Sequence, residues 1–371
     1  MLKIQEALRN GKTHLDLKSE LGINYLPHPT LPLVIMNYDQ IESPKGHPIV
    51  REARGLILRK DNHEIVAKSF FRFFNWGEMA EEMNDFNFNN FIVQTKEDGS
   101  LLSLWNFEGQ WYCSTRGSYA TDTMQFMEFT WTEGVCKALG VKSLNELNGV
   151  LSPDLTYVCE FVSPWNKVVR SYKEPRLILL SAFRGEVELG WHELDAHAEK
   201  LSVPFARPTR YEFKNIDEII AFLNKQGTDD PTYEGVVIRD DAGRRWKIKS
   251  STYLSLHKMR GEGDNLFNPK YLVPWALAGE GAELLVYFPE VTEKFNEVKG
   301  KVDEAFKNLE RVWKENWKIE GQKEFALAIV KQTGFSNILF DMRKEFGSEQ
   351  KLEQLKEKWR NAESVIIKRL F

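Results

Sequence analysis

Short apolar runs bounded by Gly, Pro, Asn or Asp crowd the first two-thirds of this chain and then stop, and that change of texture constrains the fold more than any other feature. The runs are β-branched or aromatic: Leu31 to Met36, Gly55 to Leu58, Phe91 to Gln94, Leu101 to Asn106, Trp111 to Ser114, Thr156 to Val162, Leu177 to Ala182, Gly235 to Ile238 and Arg245 to Lys249. Such residues suit a pleated, half-buried surface, and the polar clusters between them read as turns. Few helical stretches intervene, Asp217 to Lys225 being one, which favours antiparallel sheets over alternating βαβ units. Beyond Gly261-Glu262-Gly263-Asp264-Asn265 the period changes. Phe295, Val298, Val302, Phe306, Leu309, Trp313 and Trp317 recur at steps of three and four, which places them on one face of a long helix. Leu352, Leu355, Trp359, Ile366 and Leu370 predict another in the last twenty residues. The expected fold class is therefore α+β, with a sheet-based domain over residues 1–260 and an all-helical domain over 261–371.

A hydrophobic content of 42%, with 12% aromatic residues, is enough for packed cores and argues against disorder. The formal net charge of −4 supplies no global positive field, so any nucleic-acid reading needs a local basic groove. The three cysteines, Cys113, Cys136 and Cys159, form no CxxC pair, as expected for reduced thiols inside a cell. The opening Met1-Leu2-Lys3-Ile4-Gln5-Glu6 reads as polar and helical rather than as a signal peptide. No apolar run approaches the roughly 20 residues of a membrane span, so the expectation is a soluble, cytoplasmic protein with no membrane partner.

Three short motifs imitate known sites and fail on spacing. Gly11-Lys12-Thr13 lacks the earlier glycine of a phosphate loop, with Glu6 in its place. His192 and His197 are five apart, one too many for two imidazoles to share a helix face and a metal. Gly279-Glu280-Gly281 lacks a third glycine and a preceding strand.

A different constellation carries chemistry. Lys96, in Lys96-Glu97-Asp98-Gly99-Ser100, lies between two strand-like runs and precedes a turn signal. Taken alone, it reads most simply as a solvated hairpin lysine. Downstream, Glu160 sits among apolar neighbours in Thr156 to Val162, and Glu234 enters the apolar run Gly235 to Ile238. In Trp246-Lys247-Ile248-Lys249, strand alternation sends both ammonium groups to one face. Two adjacent cations are favourable only where an anion sits between them, and polyphosphate is the natural candidate; an exposed edge strand is the plain alternative.

Lys96-Glu97-Asp98-Gly99, Glu160, Glu234-Gly235 and Lys247-Ile248-Lys249 resemble motifs I, III or IIIa, IV and V of the covalent nucleotidyltransferases, in the right order. Ser100-Leu101, Glu160-Phe161-Val162-Ser163-Pro164 with Asn166, and Lys249-Ser250 with Tyr253, Ser255, Leu256 and His257 are similar to the bacteriophage T4 RNA ligase 1-like family. Arg51-Glu52-Ala53-Arg54-Gly55 and Phe73-Phe74-Asn75 match it too, and a helical C-terminal third replaces the β-rich domain of DNA ligases and capping enzymes.

The resemblance implies an antiparallel-sheet nucleotidyltransferase domain and an ATP-dependent RNA ligase. Its Lys96 would attack the α-phosphate of ATP, pass AMP to an RNA 5′-phosphate, and so prepare attack by a 3′-hydroxyl. It implies Arg54, Arg72, Glu160, Glu234, Lys247 and Lys249 as ATP-binding, and Arg116 and Tyr253 as RNA- or phosphate-binding; Glu283 is a candidate for an outer metal contact from the helical domain. Arg72 and Arg116 stand where the family usually has lysine, and Arg prefers bidentate phosphate geometry. Each role has a plainer alternative: a salt bridge for Arg54, a turn cap for Glu234, packing for Tyr253. The implied cofactors are ATP and Mg²⁺, with Mn²⁺ as a substitute. The implied partner is single-stranded RNA or the ends of a broken tRNA anticodon loop, gripped by the helical domain, with a polynucleotide kinase/phosphatase as functional companion. For Lys96 to react it must be neutral, against an ordinary lysine pKa of about 10.4; burial and nearby cations are expected to lower it. A ligase of nicked DNA or duplex RNA, or an inactive RNA-binding protein, remains the alternative.

Overall fold

The structure, a computed structural model, describes residues 1–40, 42–79, 83–124, 127–260, 266–279, 281, 284–285, 288–347 and 349–371. The chain divides into two compact units, Met1–Leu254 and Ser255–Phe371.

The first unit holds three sheets. β1 (Ile23–Pro27), β2 (Leu33–Tyr38), β3 (Arg54–Arg59) and β4 (Ile65–Ala67) form an antiparallel meander. Its apolar face packs on helices Lys3–Arg9, His14–Leu21 and Pro48–Glu52 through Ile4, Leu17, Val50, Val34 and Leu56. Thr13, the last residue of the false phosphate loop, caps the second of these helices by accepting from Asp16 N.

The second sheet has the order β11-β10-β9-β7-β8, with β7 (Ser100–Phe107), β8 (Gln110–Thr115), β9 (Thr156–Val162), β10 (Arg176–Arg184) and β11 (Val187–Glu188). Along β9 the side chains of Tyr157, Cys159 and Phe161 enter a core shared with helix Trp131–Leu139. Alternation therefore sends Glu160 to the opposite face. All three cysteines are buried free thiols.

The third sheet has the order β12-β6-β13-β14-β5, with β5 (Phe74–Asn75), β6 (Phe91–Thr95), β12 (Arg210–Tyr211), β13 (Gly235–Asp240) and β14 (Arg245–Lys249). β5 joins β14 in parallel; the other pairings are antiparallel. One face is packed by Ile219 and Leu223 of helix Ile216–Asp229 against Val93, Val236, Ile238, Trp246 and Ile248. Trp246 and Ile248 thus occupy the core, and Arg245, Lys247 and Lys249 the other face, as the alternation predicted for the two lysines.

β6 and β7 belong to different sheets, so Lys96 does not sit in a hairpin. The segment Lys96–Gly99 carries the chain from the third sheet to the second. Two close approaches need glycine here. A Cβ on Gly99 would lie 2.3 Å from the Phe161 carbonyl oxygen, and one on Gly235, at φ +144°, 2.2 Å from that of Ile248.

In the second unit, helix Thr292–Asn316 buries Phe295, Val298, Val302, Leu309, Val312 and Trp313, close to the expected stripe. The single helix expected at the end of the chain is two, Leu352–Arg360 and Glu363–Leu370, interrupted at Asn361 and Ala362. Leu355, Trp359 and Ile366 still share one core. Residues 261–265, where the texture changes, lie outside the described residues. Among the described residues, no helix is long and apolar enough to cross a membrane.

Candidate active site

The Lys96–Gly99 crossover is held rigidly. Lys96 N donates to Gly235 O at 2.8 Å, which ties the crossover to the start of β13. Asp98 is 4% exposed, and its carboxylate accepts from Val169 N at 2.8 Å, Arg170 N at 2.6 Å and the Tyr253 hydroxyl at 2.7 Å. The Tyr172 hydroxyl accepts from Asp98 N and donates to Glu97. A buried carboxylate with three donors is well satisfied, so Asp98 acts as the anchor of the turn.

From that anchored segment Lys96 Nζ reaches Glu234 Oε2 at 2.8 Å, and Lys249 Nζ meets the other oxygen of the same carboxylate at 2.9 Å. Glu234 therefore bridges two lysines, where a turn cap had been the plainer alternative. Gly99 N donates to Glu160 Oε1 at 3.2 Å. Arg54 donates to the Ser69 hydroxyl and lies over the Phe70 and Phe73 rings, at 4.8 and 5.6 Å; no carboxylate partner appears for it among the described residues. Lys247 lies 5.3 Å from the Phe73 ring centroid. Arg54, Lys96, Glu160, Lys247 and Lys249 line one cavity of about 220 Å³, with Phe70, Phe73, Leu180, Pro208 and Val237 as apolar wall.

Burial would lower the Lys96 ammonium, but the Glu234 carboxylate, then Glu160, outweigh it and raise its pKa. Among the protein's own groups the carboxylates are the nearer charges, and they outweigh the lysines expected to depress Lys96. Burial also acts to raise Glu234, yet Lys96 and Lys249 prevail and lower it. Glu160, buried with only partial compensation from Lys96, is pushed up to about 7. Lys247 is lowered to about 8, by burial first and then by Lys96, Arg54 and Lys249.

The remaining expected residues lie elsewhere. Arg116 is at the end of the β8 turn, its guanidinium 5.3 Å over the Tyr38 ring and within 3.5 Å of the Tyr38 hydroxyl. With Arg54, Lys96 and Glu160 it lines a second cavity, of about 590 Å³. Arg72 lies 4.2 Å over the Tyr38 ring and is 7% exposed. It faces a third cavity, with Lys68 and Arg239, that shares only Phe70, Phe73 and Arg245 with the Lys96 cavity. Tyr253 is 1% exposed with its hydroxyl on Asp98, which leaves no surface for RNA. Glu283 lies outside the described residues. Of the false metal pair, His197 Nε2 is 2.8 Å from the Tyr157 hydroxyl, and among the described residues no His, Cys, Asp and Glu cluster could hold a metal ion.

Sequence reasoning missed Arg245, which continues the Lys247/Lys249 row one step further along β14 and could have been read from the same alternation. It also missed the anchoring roles of Asp98 and Tyr172 and the Phe70/Phe73 wall, which rest mainly on partners distant in sequence.

The family model described as RNA ligase matches residues 52–259, more than half of the 371-residue chain and every expected residue from Arg54 to Tyr253. An RNA ligase of Rhodothermus phage RM378 is 26% identical over 366 residues, covering 81% of this chain and 83% of its own. A protein of Autographa californica nuclear polyhedrosis virus, whose name pairs a polynucleotide kinase with an RNA ligase, is 29% identical over 308 residues. That match covers 78% of this chain, which spans only 42% of the viral relative's length. A solved archaeal ATP-dependent RNA ligase superimposes with TM-score 0.45 at 14% identity, over 77% of this chain and 74% of its own. The family-model match over residues 52–259, with Lys96, Glu160, Glu234, Lys247 and Lys249 inside it, means that this chain belongs to the T4-type RNA ligase family.

Proposed function

We propose that this chain is an ATP-dependent RNA ligase in which Lys96 carries AMP, and that it joins RNA 5′-phosphate and 3′-hydroxyl ends through lysyl-AMP and RNA-adenylate intermediates. The observation that carries this reading is the contact chain Lys96–Glu234–Lys249, closed at 2.8 and 2.9 Å in a cavity that also holds Glu160, Arg54 and Lys247. A lone buried amine paired only with a carboxylate would be an ion pair. One flanked by further cations on a common face is a receiver for phosphate.

Each residue then has a defined task. Leu180 and Val237 offer apolar surface to a flat base, and Glu160 and Arg54 meet the ribose. Lys247 and Lys249 neutralise the phosphates. Lys96 first gives its ammonium proton to Glu234, at hydrogen-bond distance; the freed Nζ then attacks the α-phosphorus as the bond to the departing pyrophosphate breaks, and the second Nζ proton leaves with the pyrophosphate or to solvent. The next transfer forms a phosphoanhydride with an RNA 5′-phosphate and frees Lys96. Attack by a 3′-hydroxyl then expels AMP. A divalent cation, Mg²⁺ or Mn²⁺, fits this donor set only through phosphate oxygens and water, since Glu234 is already committed to two lysines. Bound there it would neutralise phosphate charge.

Repair of broken tRNA, with the helical unit gripping the RNA, is the biological setting we infer. The kinase half of the viral relative's name supports a companion that prepares 5′-phosphate ends. A cytoplasmic site, in a host cell if the protein is viral, is consistent with that role.

Incubation with α-labelled ATP followed by denaturing electrophoresis tests the reading. Label is expected on the wild type and absent from Lys96→Ala. An unlabelled wild type, or a labelled variant, overturns it. Sealing of single-stranded RNA in preference to a nicked duplex is the expected second result.

A further inference from the structure

The second cavity beside Lys96 has a construction of its own. Its lining adds Trp131, Arg116, Asn37 and Ser100 to Lys96 and Glu160, and it takes nothing from β13 or β14, which wall the narrower cavity. Ligation requires two substrates to meet at one lysine, and two cavities with different walls share that lysine. The narrow one has the apolar wall and the lysine row. The wide one, about 590 Å³, has one large aromatic, two guanidiniums and an amide.

Trp131 opens helix Trp131–Leu139 and is half-buried. It meets Phe161 edge to face, with ring centroids 6.1 Å apart, and its remaining surface lines the cavity. The Asn37 side-chain oxygen is buried without a hydrogen-bond partner among the described residues. A buried acceptor left unpaired costs stability unless a ligand supplies the donor. Arg116 and Arg54 bring positive charge to the same space. Aromatic face, cation and hydroxyl acceptor together match one nucleotide of single-stranded RNA: base, phosphate and sugar.

We propose that this cavity seats the terminal nucleotide of the RNA strand bearing the 5′-phosphate, with its base on Trp131, its phosphate at Arg116 and its sugar at Asn37. This rests on the ligase reading above. In the step it serves, a 5′-phosphate oxygen bonds to the phosphorus of lysyl-AMP while the Nζ–P bond breaks, and Nζ leaves as the amine, taking up a proton. Trp131 is a positioning residue for that transfer.

The test is discharge of preformed lysyl-AMP protein by a 5′-phosphorylated single-stranded oligoribonucleotide. Trp131→Ala is expected to raise the RNA concentration giving half-maximal discharge about tenfold or more, the scale of losing one stacked base. It should slow charging by ATP far less, and Trp131→Phe should recover most of the loss. If Trp131→Ala fails to fold, Arg116→Met gives the second reading, with the same expected bias toward discharge. Discharge within about twofold of wild type, or equal losses in charging and discharge, would overturn the assignment. A wild type that never charges would instead sink the ligase reading, and this assignment with it.

Discussion

Tyr253→Phe separates two roles that the same residue type could fill. The substitution removes one oxygen atom and keeps the ring, so the packing around a side chain that is 1% exposed is preserved. What is lost is a 2.7 Å hydrogen bond to the Asp98 carboxylate, itself 4% exposed. Water cannot readily replace the donor at such depth. Hydrogen bonds to charged groups contribute about 1.5–3 kcal/mol each, more when a buried acceptor is left short. For a domain of this size each kcal/mol moves the melting temperature by roughly 2–4 °C, so a fall of roughly 3–12 °C is expected. Thermal melting of the two proteins measures it directly. Affinity for single-stranded RNA, determined below the melting range, should change little. A double-mutant cycle with Asp98→Asn should show strong non-additivity, because both changes remove the same bond. The opposite pattern, an unchanged melting temperature with weakened RNA binding, would restore Tyr253 to the RNA surface and refute the anchoring argument.

Gly99→Ala should abolish soluble folded protein or sharply lower its melting temperature, since the new methyl would lie 2.3 Å from a strand carbonyl; normal expression and melting would contradict the tight crossover. Glu160 carries a folded-state pKa of about 7, above its ordinary value, so it contributes stability in acid that is lost as pH rises from about 4.5 toward 7. Glu160→Gln should therefore flatten the melting-temperature profile over that window. Lys247, lowered to about 8, should give ATP affinity that weakens as pH passes that value, and Lys247→Met should remove the dependence along with most of the affinity. Glu234→Gln removes the carboxylate that raises Lys96; the pH at which lysyl-AMP formation reaches half its maximum should move to lower pH, while the rate falls. An unshifted profile would mean that another group sets the Lys96 proton.

Local chemistry was legible in the sequence, and long-range partnership was not. Thr156–Val162 and Arg245–Lys249 match the expected runs to the residue, because alternating side chains impose burial without knowledge of the partner strand. The lysines of the second run share a face for the same reason. The crossover at Lys96 was misread as a possible hairpin because Asp98-Gly99 signals a turn whichever strands it joins. β6 pairs with β12 and β13, more than a hundred residues downstream, and no local pattern announces that. Tyr253 is another case: sequence shows a polar tip near a lysine pair, and only the fold shows that the tip meets Asp98. The last two helices merged because Leu355, Trp359 and Ile366 stay near helical phase across Asn361–Ala362, where neither Gly nor Pro marks a stop. Lys96's charge was misjudged for a different reason. Its cations were counted from sequence, but Glu234, at 2.8 Å, dominates by distance.

In the proposed reaction, the crossover would let one lysine serve two substrates. Glu160 comes from the second sheet, while Lys247 and Lys249 come from the third and Glu234 immediately precedes its strand β13. A nucleotide spanning them bridges two sheets that the chain itself connects at Lys96. A hairpin lysine would follow the motion of one sheet only. Gly99, pressed on the Phe161 carbonyl, and Asp98, held by three donors, restrain the crossover between them. Stiffness matters in the proposed reaction, where the same Nζ would meet ATP in the cavity walled by β13 and β14 and pass AMP toward the cavity bounded by Trp131. A nucleophile on a loose loop would reach both at an entropic cost in each step. On this view Asp98 contributes to catalysis without touching a substrate. Its removal should slow charging and discharge alike, whereas Glu234 acts mainly on charging and Trp131 on discharge.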